Sequence, residues 1–173
     1  PAMVYLPVGT YWVGETLTVD CDGVSVVGDG MNSSIITRTG DYGDTLFIGG
    51  VDESNTYNGG SNVSGIGIKA TGTVTHGANL VTRHIANSTI KDVYLEGGFG
   101  GLKIQGCMSM IFDGLIIEGG QNLAGSTGAV SGSNFLSVPT HSIGNASFDI
   151  LINNLLCLNT WTSYGRIEHG FVI

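Results

Sequence analysis

Apolar and polar residues alternate in short bursts along the chain, each burst ending in a glycine turn. GVSVVGDG from Gly23, GIGIKATG from Gly65, DVYLEGG from Asp92, GLIIEGG from Gly114 and LLCLNT from Leu155 fit one frame. In that frame Val24, Ile66, Val93, Leu115 and Leu156 form one inward column, and Val26, Ile68, Leu95, Ile117 and Leu158 form the next. The period-2 alternation predicts strands. The copies step by 42, 27, 22 and 41 residues, and a strand repeat of that size without helices predicts a solenoid of stacked parallel strands.

A second column aligns DTLFI at Asp44, HGANL at His76, GGLKI at Gly100, TGAVS at Thr127 and HGFVI at His169. Its inward pairs are Leu46 and Ile48, Ala78 and Leu80, Leu102 and Ile104, Ala129 and Ser131, then Phe171 and Ile173. A third face runs through NSTIKD, SMIFDG and SFDILIN. Three faces per turn imply an all-β, right-handed, single-stranded parallel β-helix whose rungs climb by about 4.8 Å. Residues 1–173 read as one β-helix domain, incomplete at its C-terminal end and a fragment of a longer chain, because HGFVI stops in mid-coil. The polar segment 51–62 reads as a loop projecting from the stack. The stretch between Leu115 and Leu156 reads as one coil with a large side loop or as two coils. No segment carries a 3.6-residue apolar period, so helix should be scarce.

Composition narrows the class of partner. With 42% hydrophobic residues in a regular pattern, the chain is not disordered, and 29 glycines suit a fold with many turns. A formal charge of −8, with six Lys and Arg among fourteen carboxylates, excludes a basic track for nucleic acid. No run approaches the roughly 20 apolar residues of a membrane helix. The three cysteines, Cys21, Cys107 and Cys157, lack metal-ligand spacing and read as buried, inert thiols, with Cys157 pointing outward between two inward leucines.

The opening VYLPVGTYWV followed by LTVDCDGVSVVGDGMNSSII resembles the start of the pectate-lyase-superfamily β-helix domain, where a V-Y-x-P-x-G-T-Y segment precedes a strand and a G-x-G turn. NSTIKDVYLEGGFGGLKIQG and IFDGLIIEGG resemble the coils that follow. Within the superfamily the combination is similar to bacteriophage tailspikes and capsule depolymerases. It is less similar to secreted polysaccharide lyases and fungal glucanases. The resemblance implies a homotrimeric virion-tail or extracellular protein that binds a bacterial surface polysaccharide and cleaves it, by hydrolysis or elimination. β-Helices also serve as inert spikes and adhesins, so the chemistry must come from residues.

Directly after the inward pair, the first column presents Lys69, Glu96, Glu118 and Asn159 at equivalent positions. On successive rungs Glu96 and Glu118 stand about 5 Å apart at the backbone. That is the spacing at which one carboxylate serves as acid and its neighbour as nucleophile in a retaining glycosidase. The competing expectation is a surface ladder in which Lys69 neutralises Glu96. Asp113, in a column with Lys91 and Asn154, is the next candidate acid, partnered with Glu118. Tyr57 and Tyr164 in polar loops, together with Trp12 and Trp161, are candidate platforms for sugar rings. GRIEHGFVI from Gly165 partly resembles polygalacturonase signatures, which makes Arg166 a candidate clamp for a sugar carboxylate, Glu168 an acid and His169 a proton-transfer group. The N-T-D and paired-Asp motifs of that family are missing. No cofactor is expected: Asp41, Asp44, Asp52 and Glu53 gather oxygen ligands of the kind calcium takes, without the spacing of a dedicated loop.

Overall fold

A computed structural model describes residues 2–40, 43–50, 57–71, 76–118, 136–138, 148–158 and 166–167. Among these the secondary structure is entirely strand and every pairing is parallel. The chain winds as a parallel β-helix. Its first coil holds β1 (Ala2–Leu6), β2 (Gly9–Val13) and β3 (Leu17–Val19). The second holds β4 (Val24–Gly28), β5 (Ser34–Thr39) and β6 (Leu46–Gly49). The third holds β7 (Asn58–Gly59), β8 (Asn62–Thr71) and β9 (Ala78–Arg83). Next come β10 (Ile85–Gly97) with β11 (Gly100–Gln105), and β12 (Met108–Glu118) with β13 (Leu136–Val138). A last coil holds β14 (Phe148–Asn153), β15 (Leu156–Leu158) and β16 (Arg166–Ile167).

Three inward columns define the core. On the first face Val4, Val26, Val63, Ile90, Phe112 and Ile152 stack in register. On the second, Ile36, Ile68, Leu95 and Ile117 do so, flanked by Ile66, Val93 and Leu115. On the third, Leu17, Leu46, Leu80 and Leu102 follow one another, and β13 continues the ladder with Leu136 at the register position next to Leu102. Nearly all the central members are fully buried. Each such side chain contributes about 1.5–3 kcal/mol relative to exposure, so the stack is held mainly by these columns.

The corners explain how long strands bend around this core. Gly65, Asp92, Gly114 and Asn154 all have φ between the first and second faces in the left-handed region, at 64°, 51°, 68° and 51°. A second corner column, Gly23, Gly60, Asn87, Ser109 and Asp149, precedes the first face, with φ from 51° to 69°. One left-handed residue turns the chain without ending the ladder; Gly, Asn and Asp tolerate that conformation best. The shortest coils, Val4 to Val26 and Ile90 to Phe112, take 22 residues each.

The opening segment is tied to the next coil by Asp29. Its carboxylate accepts from Tyr5 Oη at 2.6 Å and from the Val8 amide at 3.0 Å, while the buried Ser34 hydroxyl donates to Leu6 O at 2.7 Å. The G-x-G turn after the first-face strand is thus a structural clamp.

The strand pattern expected from sequence holds for Ile66, Val93 and Leu115 and for Ile68, Leu95 and Ile117. Other registers differ. Val26 stacks on Val63 of the first face, not on Ile68, because Gly23 belongs to the corner that precedes that face. Leu156 and Leu158 pair with Ile116 and Glu118, one residue out from the expected match, because Asn154 is the corner residue equivalent to Gly114. Cys157 therefore takes the register position of Ile117. Leu46 pairs with Leu80 and not Ala78, a two-residue shift that preserves the inward face.

Asn58 and Gly59 pair with Ile85 and Ala86, so the stack reclaims part of the segment expected as a loop. β12 and β14 are direct neighbours, which makes the chain between them one coil, with β13 supplying its third face. Leu102 pairs with Leu136 and not with Ala129, so the third-face strand of this coil lies later in the chain than the alignment expected, and Val138 then pairs with Ile167; Thr127, Ala129, Ser131, Phe171 and Ile173 lie outside the described residues. Cys107 is buried as expected, but Cys21 is exposed, at the turn before β4.

Candidate functional site

Alternation along the second face sends Val93, Leu95, Leu115 and Ile117 inward and leaves Tyr94, Glu96, Ile116 and Glu118 on the outer surface. Parallel register then builds two outer rows. One runs Thr10, Ile35, Gly67, Tyr94, Ile116, Leu156; the other runs Trp12, Thr37, Lys69, Glu96, Glu118, Leu158. Glu96 and Glu118 are direct partners on adjacent rungs.

Each glutamate has a partner from the coil below. Lys69 Nζ forms an ion pair with Glu96 Oε2 and lies 5.6 Å from the centroid of the Tyr94 ring. Tyr94 Oη donates to Glu118 Oε2 at 2.5 Å. Lys69, Glu96, Tyr94 and Glu118 thus form a continuous polar chain. Burial, the hydrogen bond to Glu118 and the charge of Glu96 push the Tyr94 phenol well above its ordinary range, so it remains a proton-bearing group across neutral pH.

The backbone beneath Glu96 is held from inside. Asn79 is buried and donates through Nδ2 to Glu96 O and Gly97 O, both at 3.1 Å. This amide clamps the end of β10, where the chain turns through Gly97 and Gly98, both with positive φ. Gly67 has an equally local reason: a Cβ there would meet Met31 O at 2.4 Å, so the loop before β5 packs against the outer surface beside Tyr94.

The remaining candidates lie elsewhere. Asp113 is on the first face, in register with Lys91, and its Oδ1 accepts from Asn154 Nδ2 at 2.7 Å. The corner at Gly114 and the strand beyond it separate Asp113 from Glu118, so the two are not brought together. Tyr57 is half-buried at the corner between the third and first faces, edge-on to His84 with centroids 6.1 Å apart. Arg166 is placed in β16, in register with Ser137 on the third face. Tyr164, Glu168, His169 and Trp161 lie outside the described residues, as do Asp41, Asp52 and Glu53. Asp44 accepts from the Ala78 amide through Oδ1 at 2.8 Å, a bond that fixes the corner into β9. Among the described residues no group of three or more His, Cys, Asp and Glu side chains converges as a metal site.

Two site residues escaped the sequence pattern. Tyr94 stands two positions before Glu96 and hence on the same face, but its reach to the next rung is not encoded in the alternation. Asn79 had no readable signal, because its partners are backbone carbonyls of another coil.

No protein-family model matches the chain, and no curated protein does. Solved structures do share its fold. ORF18 of Geobacillus virus E2 superposes with a TM-score of 0.70 at 19% identity over 87% of this chain, which spans 28% of that protein's length. A Parabacteroides merdae protein described as a glycosyl hydrolase gives 0.53 at 10% identity over 90% of this chain and 82% of its own. A pectin methylesterase bound to a hexasaccharide gives 0.54 at 14% identity, covering 91% of this chain and 58% of its own. The chain therefore has the parallel β-helix architecture found in a phage protein and in proteins described as carbohydrate-active.

Proposed function

We propose that this chain is the β-helical body of a phage-tailspike-like protein that binds a bacterial surface polysaccharide and depolymerises it by glycoside hydrolysis. The observation that carries the reading is the direct register of Glu96 and Glu118 on the outer surface of adjacent rungs. A rung spacing of about 4.8 Å matches the separation of about 5–5.5 Å between the two carboxyl groups of retaining enzymes. Glu96, beside the Lys69 ammonium, attacks the anomeric carbon while Glu118 gives a proton to the leaving oxygen. Water, deprotonated by Glu118, then displaces Glu96 and restores both groups. In this reading the assembly is a homotrimer on a virion tail; the fold shared with a Geobacillus virus protein supports a viral setting.

A second reading is a spike that binds glycan without cutting it. It is favoured by the partners both glutamates already have, Lys69 and Tyr94. Incubation with purified capsular and O-chain polysaccharides separates the possibilities. Hydrolysis releases reducing ends without a new ultraviolet chromophore. An unsaturated, ultraviolet-absorbing product would replace hydrolysis with elimination, and retained binding without new ends would leave the spike.

A further inference from the structure

The two oxygens of the Glu118 carboxylate are used unequally. Oε2 accepts from Tyr94 Oη at 2.5 Å. Tyr94 pairs with Gly67 on the rung below and with Ile116 on the rung above, and a Cβ at Gly67 would meet Met31 O at 2.4 Å. Backbone therefore covers the position below the phenol, and the phenol reaches to the rung above. Glu96 has a different neighbour, because Lys69 Nζ pairs with its Oε2. The charged and titratable groups that β8 and β10 bring toward Glu118 are thus Lys69, Tyr94 and Glu96, while β15 places Leu158 in register on its far side. A carboxylic acid carries its proton on one oxygen and accepts on the other. A phenol donating to Oε2 fills the accepting position, so the proton that Glu118 exchanges is carried by Oε1.

We infer that Tyr94 is a positioning residue for the acid–base step: it holds Glu118 by Oε2, leaves proton exchange to Oε1, and so marks Glu118 as the proton donor of an otherwise equivalent pair. As Glu96 bonds to the anomeric carbon, the proton passes from Oε1 to the glycosidic oxygen and the C–O bond breaks. Oε1 then takes a proton from the water that displaces Glu96. Burial and the bond to Glu118 raise the phenol well above its ordinary range, so Tyr94 remains a donor through both steps at neutral pH. This inference rests on the paired-glutamate reading and adds how the repeat tells its two glutamates apart.

The test is reducing-end release from the capsular or O-chain polysaccharide that wild type cleaves, by Tyr94→Phe, Glu118→Gln and the double variant, at a temperature where melting curves show all of them folded. Tyr94→Phe should lower kcat about tenfold and leave KM within about twofold, the loss expected for one charge-assisted hydrogen bond. The alkaline limb of its kcat/KM profile, which reports the proton Glu118 must carry, should move to higher pH, because the ionised carboxylate has lost a donor. Added to Glu118→Gln, Tyr94→Phe should remove no further turnover, since it acts only through the missing acid. A residue that merely holds the coil would lower the rate at every pH and in both backgrounds. Wild-type kcat with an unmoved limb in Tyr94→Phe, or a further tenfold loss in the double variant, overturns the inference, and an inactive Glu118→Gln then leaves the paired-glutamate reading standing. Full turnover by Glu118→Gln, or no cleavage of any such polysaccharide by wild type, brings down that reading and this inference together.

Discussion

Tyr94 crosses one rung to donate its phenol hydrogen to Glu118, while its own strand neighbour Glu96 is tied to Lys69 on the other side. The two carboxylates are thus distinguished by their partners although they occupy equivalent positions in the repeat. One answers to a cation, the other to a neutral donor.

Alkaline titration should reveal this bond. The Tyr94 phenol is raised from an ordinary value of 10.0, so the unfolded chain loses its proton before the folded chain does. The stability it contributes is whole below that pH and is lost as pH rises toward the folded value. Tyr94→Phe should unfold about 1 kcal/mol more easily at neutral pH and show a shallower alkaline decline than wild type, read by urea denaturation across pH. Tyr5, whose hydrogen bond to Asp29 raises it in the same direction, titrates late in both proteins.

The Lys69–Glu96 pair is a surface contact and should behave as one. Lys69→Ala should change stability by less than about 1 kcal/mol, and added salt should shrink the difference. A loss several times larger in a melting series would show that the pair holds the coil together.

Inside and outside alternate residue by residue on the first face. Phe112 is fully buried while its neighbour Ile111 is exposed. Phe112→Ala should cost about 3–5 kcal/mol, whereas Ile111→Ala should stay within about 0.5 kcal/mol. Chemical denaturation of the two variants checks the inward column directly.

Gly65 tests the corner. Its φ is +64° and an added Cβ would lie 2.6 Å from Gly28 O. Gly65→Ala should destabilise by about 2 kcal/mol or more, combining left-handed strain with that clash. An unchanged midpoint would mean the corner column is not what bends β8.

These corners also decide how much of the fold is legible in the sequence. Where Gly marks the bend, as at Gly65 and Gly114, the apolar columns Ile66, Leu115 and their neighbours can be read in the right register. Where Asn154 takes the bend, nothing flags it, and matching leucine to leucine slips β15 by one residue. Gly23 misleads in the opposite way, since its turn belongs to the other corner column and moves Val26 to a different face. Three-face winding and the Glu96–Glu118 match are visible because both glutamates follow the same inward pair on coils without insertion. Lys69 was readable for the same reason. Tyr94 and Asn79 act across coils through side-chain reach, which alternation does not encode.

The most direct measurement is reducing-end release from a bound bacterial polysaccharide by wild type, Glu96→Gln and Glu118→Gln, with binding measured alongside. Each substitution should cut turnover by at least about a hundredfold and leave affinity within a few-fold. Turnover that survives both substitutions would contradict the assignment of catalysis to this row.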